Sequence, residues 1–358
     1  MNVTAVPATM RAAVLYDAGD IRLEDRPVPD LAPGDILVRM EASGVCSGDL
    51  VAWYVRRKAP FVFGHEPAGT VVKVTARSDE PLLGARVFAH HHAPCLSCAR
   101  CARGQYVQCT EWRRTSLDPG GMAEFFRVPL DNRAEVLRLP DDLSFVAGAL
   151  IEPLACVVKS LRRASGAPLR FRDGSLEPSL RGSTVYVVGL GIMGLMHVAL
   201  ARALGAAVFG SDFLLARREL ATRLGATAFE PDGALQSVLE ASAGRGADVV
   251  VCGPGTPAAL QHAISAAGGG GTVVMFAPFA PHERLALDQS DLYFRDLRLT
   301  GSYSSGPDDT ACALEIVANG VVKPQMLGVV TWPLSDVACG YAAMQNQEIV
   351  KAVIVPSL

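Results

Sequence analysis

The chain has 358 residues, half of them apolar, and a formal net charge of only −3. That length exceeds one ordinary core and predicts two domains, and the charge balance marks neither a nucleic-acid binder nor a membrane-surface protein. No basic stretch followed by an apolar core opens the sequence, and every long apolar run is broken short of a bilayer span, so secretion and membrane insertion are not expected and the cytoplasm is.

Residues 11–45 alternate apolar and polar in short runs separated by Pro-Asp, Pro-Gly-Asp and Asp-Ala-Gly-Asp, the pattern of an antiparallel β-region with tight turns. Cys46 follows, and then Gly64-His65-Glu66. Sulfur, nitrogen and oxygen donors together form the ligand set of a zinc site that keeps one position open for chemistry. Taken alone, the pair Cys46 and His65 is better read as a buried thiol and a hydrogen-bonded histidine on neighbouring strands; the features further along the chain turn the reading toward a metal site. Further strands are expected at 68–74 and 84–89.

Four of the nine cysteines then fall in one short loop, Cys95-x2-Cys98-x2-Cys101-x7-Cys109. In a long chain this clustering reads as metal binding rather than a disulfide framework. Four thiolates with no other donor make a closed tetrahedral zinc site that holds a lobe, about 93–112, in shape. His90, His91 and His92 lie just upstream and could be extra ligands; the better reading is a strand end, because a site with four cysteines is already complete. Residues 119–129 form a turn and a strand, and 143–161 show helical spacing. Within the latter, Glu152 is either a helix cap before Pro153 or a buried carboxylate that needs a partner such as a metal or its water. Residues 163–182 lack periodicity and read as an exposed connection.

Ser183–Val188 is a compact branched strand running into Gly189-Leu190-Gly191-Ile192-Met193-Gly194 and a helix of small residues over 195–204. Strand before and helix after is the context that a dinucleotide-binding glycine loop requires, with the pyrophosphate received by the helix N-terminal amides. A second strand ends at Asp212, where a carboxylate bonds the adenosine ribose and repels a 2′-phosphate. This favours NAD, although Arg217 and Arg218 could hold a phosphate. Strand–helix units continue through 246–252, 258–267 and 271–276, implying a parallel sheet with right-handed crossovers. Cys252 would then lie near the nicotinamide or form an ordinary strand–loop junction. A helix at 309–319 and a strand at 352–355 are expected to rejoin the first domain.

These parts fall in an order that resembles the zinc-dependent medium-chain dehydrogenases, nearest their polyol (sorbitol-like) and threonine dehydrogenase branch. The resemblance rests on Gly44-Val45-Cys46 with Asp49, Gly64–Gly69, the four-cysteine loop, Ile151-Glu152-Pro153-Leu154, and Gly189–Gly194. It implies an α/β fold in which a Rossmann doubly wound parallel sheet joins a mostly β GroES-like catalytic domain. The expected boundaries are 1–155, 156–299, and a return over 300–358. It further implies two zincs per chain, one catalytic and one structural, and a homodimer or homotetramer. Cys46 and His65 become catalytic ligands, with Glu66 and Glu152 sharing the remaining role, and Asp49 orients the imidazole. One departure stands out: Gly48 and Val51 occupy places where many relatives carry the Ser or Thr and the His of a proton relay. The relay would begin with Ser47, Glu152 or water.

The expected activity is hydride transfer between NAD and a secondary alcohol, a polyol, sugar or hydroxy- or amino-acid derivative. A biosynthetic carbonyl reductase is the alternative among enzymes, and a non-catalytic binding protein on the same fold is the alternative outside them. Trp53, Tyr54, Phe61 and Phe63 are expected to line or back the pocket. Arg56, Arg57 and Lys58 would either attract an anionic substrate or form a solvated loop.

Overall fold

The computed structural model describes residues 6–172 and 174–357. The chain divides into two compact units. The first takes the residues up to Ala155, then Ser305–Ala318, and the residues from Gly328 onward. The second takes Cys156–Ser304 and Asn319–Leu327.

The first unit is mostly β. Among the described residues its larger sheet has seven strands: Val329–Pro333, Lys351–Val355, Ile36–Gly44, Glu66–Val74, Arg86–Ala89 and Val136–Arg138 in spatial order, with Phe125–Val128 also paired to Ile36–Gly44. A second sheet is built from Thr9–Asp17 between Asp20–Pro27 and Phe61–Val62. Leu15, Ile36, Val38, Met40, Phe63, Val71, Val87, Phe126 and Ile354 pack as one core. The register matters most between Ile36–Gly44 and Glu66–Val74, where Gly44 stands opposite Glu66. The pairing brings residues from two ends of a twenty-residue excursion side by side.

The second unit carries a six-stranded sheet, all of its pairs parallel, in the order Thr227–Phe229, Ala207–Ser211, Thr184–Val188, Ala247–Cys252, Ala267–Met275, Arg298–Gly301. This is the 3-2-1-4-5-6 order of a dinucleotide-binding fold. Thr184–Val188 is buried almost throughout, as expected of a central parallel strand covered on both faces. Its helix starts at Ile192, directly after Gly191, three residues earlier than the apolar spacing suggests.

Three local features differ from the sequence reading. Helix Ile151–Ser165 begins before Pro153, which sits third in the first turn, where a missing N–H costs nothing. Residues 163–182 are not all irregular: the helix runs to Ser165, and Phe171–Arg172 pairs with Ser175–Leu176. Helices Pro231–Ala241, Gln289–Phe294 and Val337–Gln345 were not anticipated. No helix among the described residues is long and apolar enough to cross a membrane.

Candidate metal centre and nucleotide loop

Cys46 follows the strand Ile36–Gly44 and opens a short turn, Ser47–Leu50, where its Sγ accepts a hydrogen bond from the Gly48 amide at 3.3 Å. Glu66 begins the partner strand. A Cβ on Gly44 would lie 1.9 Å from Glu66 Oε2, so only glycine lets the carboxylate cross to this side. Cys46, His65 and Glu66 each offer one donor atom, all within 4.8 Å of one another. Asp49 Oδ2 lies 3.7 Å from His65 Nδ1. That is wider than a hydrogen bond, and Asp49 Oδ2 is itself buried without a hydrogen-bond partner among the described residues, so Nδ1 of His65 is the nitrogen that faces the carboxylate.

Glu66 is 1% exposed, and its two oxygens differ in environment. Oε2 accepts from the equally buried ammonium of Lys351, which also donates to the Val45 carbonyl at 2.9 Å. Oε1 is buried with no hydrogen-bond partner among the described residues. A buried carboxylate oxygen without a partner is costly, and a cation bound beside the thiolate and imidazole would remove that cost. The donors therefore fit zinc. Tyr341 steadies the turn from below, its hydroxyl donating to the Asp49 carbonyl at 2.7 Å.

Glu152 does not join this trio. It groups instead with His90 and His91, one donor atom from each lying within 4.8 Å of the others, and its Oε1 is 3.8 Å from His90 Nε2. His91 packs 4.8 Å, centroid to centroid, from the His65 ring. His92 turns away, its Nδ1 2.5 Å from the Thr115 carbonyl and its ring 4.3 Å from Trp112. Ser47 is exposed. Of the aromatic residues, Phe63 is core, packed 6.3 Å from Tyr341, whereas Trp53 and Tyr54 are half-buried.

Burial raises the pKa of Glu66, with Lys351 pulling the other way. It also raises Asp49, against the opposing charges of His65, Lys58 and Lys351. At His65 burial works against protonation, but the charges of Cys46 and Asp49 outweigh it and lift the pKa well above its ordinary value. At His91 burial, reinforced by His90 and His65, drives the pKa well down. Lys351 and His91 were missed in the sequence. Lys351 precedes an apolar strand in an unremarkable setting, and the histidine run reads as a strand end.

The four-cysteine loop satisfies a stricter geometric test. Sulfur separations are 3.5 Å for Cys95–Cys109, 3.6 Å for Cys98–Cys101 and 4.0 Å for Cys95–Cys101. A tetrahedron with Zn–S bonds of about 2.3 Å has edges of about 3.8 Å, whereas a disulfide would need about 2.05 Å. The Cys95 thiol is pulled down to about 6 by hydrogen bonds from Ser97 and nearby amides, while burial pushes Cys101 up to about 12.

In the second unit, a Cβ on Gly194 would lie 2.0 Å from the Gly189 carbonyl, so glycine is what lets helix and loop touch. At Gly191 a Cβ would meet only Arg217 Nη1, at 4.0 Å, leaving room for a phosphate against the backbone. Ile192 and Met193 open the helix there. Asp212 Oδ2 accepts from the Leu190 amide at 2.8 Å and lies 3.5 Å from Arg217 Nη1, and Oδ1 accepts from Leu214 at 2.9 Å. Arg218 donates to the Asp212 and Phe213 carbonyls and to Glu230. Cys252 is buried in the sheet core, its thiol donating to the Pro254 carbonyl at 3.4 Å.

A β-rich unit with a sulfur–nitrogen–oxygen donor set and a four-thiolate loop, together with a dinucleotide-binding unit, defines a metal-dependent oxidoreductase. Residues 32–141 match the alcohol dehydrogenase GroES-like domain, and residues 193–319 match the zinc-binding dehydrogenase family. The chain is 29% identical over 373 residues to sorbitol dehydrogenase of Bacillus subtilis (strain 168), covering 98% of this chain and 99% of that protein. It is 30% identical over 338 residues to D-xylulose reductase A of Aspergillus oryzae, covering 89% of each. The solved alcohol dehydrogenase TADH from Thermus sp. ATN1 superposes with a TM-score of 0.83 at 25% identity, over 97% of this chain and 100% of that one. The chain belongs to the zinc-dependent medium-chain dehydrogenase family, close to the polyol dehydrogenases.

Proposed function

We propose that the chain transfers hydride between a secondary alcohol of the polyol or sugar type and NAD. Cys46, His65 and Glu66 would hold a catalytic zinc, and Cys95, Cys98, Cys101 and Cys109 a structural one. The observation that carries this reading is Glu66 Oε1: buried, without a hydrogen-bond partner among the described residues, and part of the donor trio with Cys46 and His65.

When bound, zinc supplies the Lewis acidity that lowers the pKa of an alcohol hydroxyl, and the nicotinamide supplies the hydride acceptor. The chain's own residues do the rest. Asp49 faces Nδ1 of His65 at 3.7 Å and, on closing to a hydrogen bond, would leave the other ring nitrogen for the metal. Lys351 holds Glu66 by one oxygen so that the other points into the donor trio. Gly48 and Val51 offer no hydroxyl or imidazole, and with Ser47 turned to solvent the alcohol proton falls to Glu152 or to water.

NAD is favoured over NADP because both nearby arginines are already engaged, Arg217 by Asp212 and Arg218 by Glu230 and two carbonyls. Sorbitol dehydrogenase and D-xylulose reductase among the relatives support the polyol class. A cytoplasmic homodimer or homotetramer is the assembly carried with this reading.

The test is NAD and NADP reduction across polyols, sugar acids and amino alcohols, with zinc measured on the same samples. About two zincs per chain are expected, with faster turnover on NAD. Cys46→Ser should lose turnover and about one zinc. A wild-type chain that carries a single zinc and is inert on every substrate overturns the proposal.

A further inference from the structure

Arg56, Arg57 and Lys58 are three consecutive cations that the proposed reaction leaves unused. They follow helix Ala52–Val55, which Val51 alone separates from the turn Ser47–Leu50. That helix fixes the backbone of the run: the Arg56 amide donates to the Ala52 carbonyl at 3.0 Å and the Lys58 amide to the Val55 carbonyl at 2.9 Å. The three side chains differ in their partners. Arg56 donates to both oxygens of Asp17, at 3.1 and 3.2 Å. Lys58 Nζ lies 4.4 Å from the centroid of the half-buried Tyr54 ring and donates to the Tyr54 hydroxyl at 3.0 Å. Neither Arg57 nor Lys58 has an acidic partner among the described residues.

The aromatic ring gives Lys58 a fixed direction that a solvated lysine lacks. An ammonium has three donors, so after Tyr54 two are left for a ligand. Its place is beside the metal centre. At Asp49 burial raises the pKa and Lys58 is among the charges that pull it back, while at His91 and His92 burial lowers the pKa and Lys58 adds to the fall. Asp49 faces His65 at 3.7 Å, and the His91 ring packs 4.8 Å from that of His65. A charge felt at these groups acts within roughly 10 Å of them, the screening length at ordinary salt. A neutral polyol would gain only a neutral hydrogen bond from this ammonium, whereas a carboxylate or phosphate gains a charge-assisted one, about twice as strong.

We propose that Lys58, steadied by Tyr54, binds an anionic end of the substrate, so that the alcohol oxidised is an acidic polyol carrying a carboxylate or phosphate away from the reacting carbon. The proposal rests on the reading of Cys46, His65 and Glu66 as the catalytic zinc site. Arg57, exposed and without an acidic partner, adds to the positive field that draws such a substrate in.

The test is steady-state oxidation by the full-length, zinc-loaded protein with NAD of three substrates of equal carbon number: an alditol, the corresponding aldonate and the alditol phosphate. At low salt the wild type should favour at least one acidic substrate over the alditol by about tenfold or more in kcat/KM, with most of the difference in KM. Added salt should erode that preference. The aldonate and phosphate arms tell which anion is taken. Lys58→Met should cut the acidic-to-neutral ratio by about tenfold or more, Lys58→Arg should keep most of it, and Lys58→Glu should turn the preference toward the alditol. Because Lys58 is exposed, all three variants should fold. A wild type that oxidises the alditol as efficiently as both acids overturns the proposal, as does a ratio that Lys58→Met leaves unchanged. These outcomes leave the zinc reading intact. A wild type inert on all three substrates and carrying a single zinc defeats the zinc reading, and this proposal with it.

Discussion

Lys351→Met, measured on protein freed of metal at the Cys46–His65–Glu66 site, probes the electrostatics of the proposed metal centre through a residue that is not itself a donor there. Methionine keeps most of the stem's volume and removes the ammonium, leaving Glu66 buried at 1% exposure without its partner and the Val45 carbonyl without its donor. Removing one member of a buried ion pair costs about 3–5 kcal/mol, and the lost hydrogen bond adds about 1 kcal/mol. In a unit of this size each kcal/mol moves the melting temperature by about 2–4 °C, so a fall of roughly 10–20 °C is expected. The assay is straightforward because all three tryptophans, Trp53, Trp112 and Trp332, lie in the first unit, and their fluorescence follows its unfolding alone. Glu66→Gln by itself leaves the ammonium stranded and is also destabilising. The double variant strands neither charge, so its cost should fall short of the sum of the singles by about 2–4 kcal/mol. Additive costs, or Lys351→Met within about 1 kcal/mol of wild type, would refute the reasoning. They would mean that burial has already neutralised Glu66 and that the contact is not an ion pair.

His197 gives a pH signature in the other unit: burial lowers its pKa to about 4, its Nδ1 donates to the Met193 carbonyl at 2.7 Å, and its Nε2 accepts from Ser160 Oγ at 2.9 Å. Because the unfolded chain binds a proton below about pH 6.5 that the folded chain refuses, stability should fall as pH drops from about 6.5 to 4, by up to about 3 kcal/mol, and His197→Gln should flatten that slope in denaturant titrations. Gly48→Ser places its Cβ 3.5 Å from Cys46 Sγ, an ordinary contact, so stability should stay within about 0.5 kcal/mol. If the relay hydroxyl is what this site lacks, kcat for alcohol oxidation should rise by about threefold or more, whereas an unchanged or lower kcat would show that the proton already leaves by another route. Gly194→Ala drives a methyl into the Gly189 carbonyl at 2.0 Å, which should cost about 1–3 kcal/mol and weaken NAD binding by about tenfold or more in fluorescence titration.

The parts of the fold legible in the sequence are those where local pattern and burial agree. Thr184–Val188 is a branched run buried on both faces, and the glycine loop after it allows few backbone paths, so strand, turn and helix could be placed within a few residues. Helix Val337–Gln345 was not seen because its residues are small and apolar around most of its circumference, leaving no polar face to mark a period. The hairpin Phe171–Arg172 with Ser175–Leu176 is too short for alternation to register. In both cases the conformation is decided by what the segment packs against rather than by its own pattern.

At the metal centre the same division separates donors from the groups that control them. The four clustered cysteines announce themselves because four thiols at close spacing have few other uses, whereas Cys46, His65 and Glu66 stand out as candidate donors only beside that loop and the nucleotide fold. Lys351 lies 285 residues from Glu66 and meets it only because Lys351–Val355 and Glu66–Val74 both pair with the strand Ile36–Gly44. Gly44, on that middle strand, is the residue whose missing side chain lets the contact form. A motif reading finds the carboxylate but not the cation that determines which of its oxygens is free. His91 was hidden for the opposite reason: with four cysteines completing the neighbouring loop, the histidine run reads as a strand end, while the backbone turn after Ala89 carries His91 toward His65 and His92 toward Trp112. Ligand identity is thus local information, whereas ligand charge and orientation depend on sheet order, and predictions about proton movement inherit the harder of the two problems.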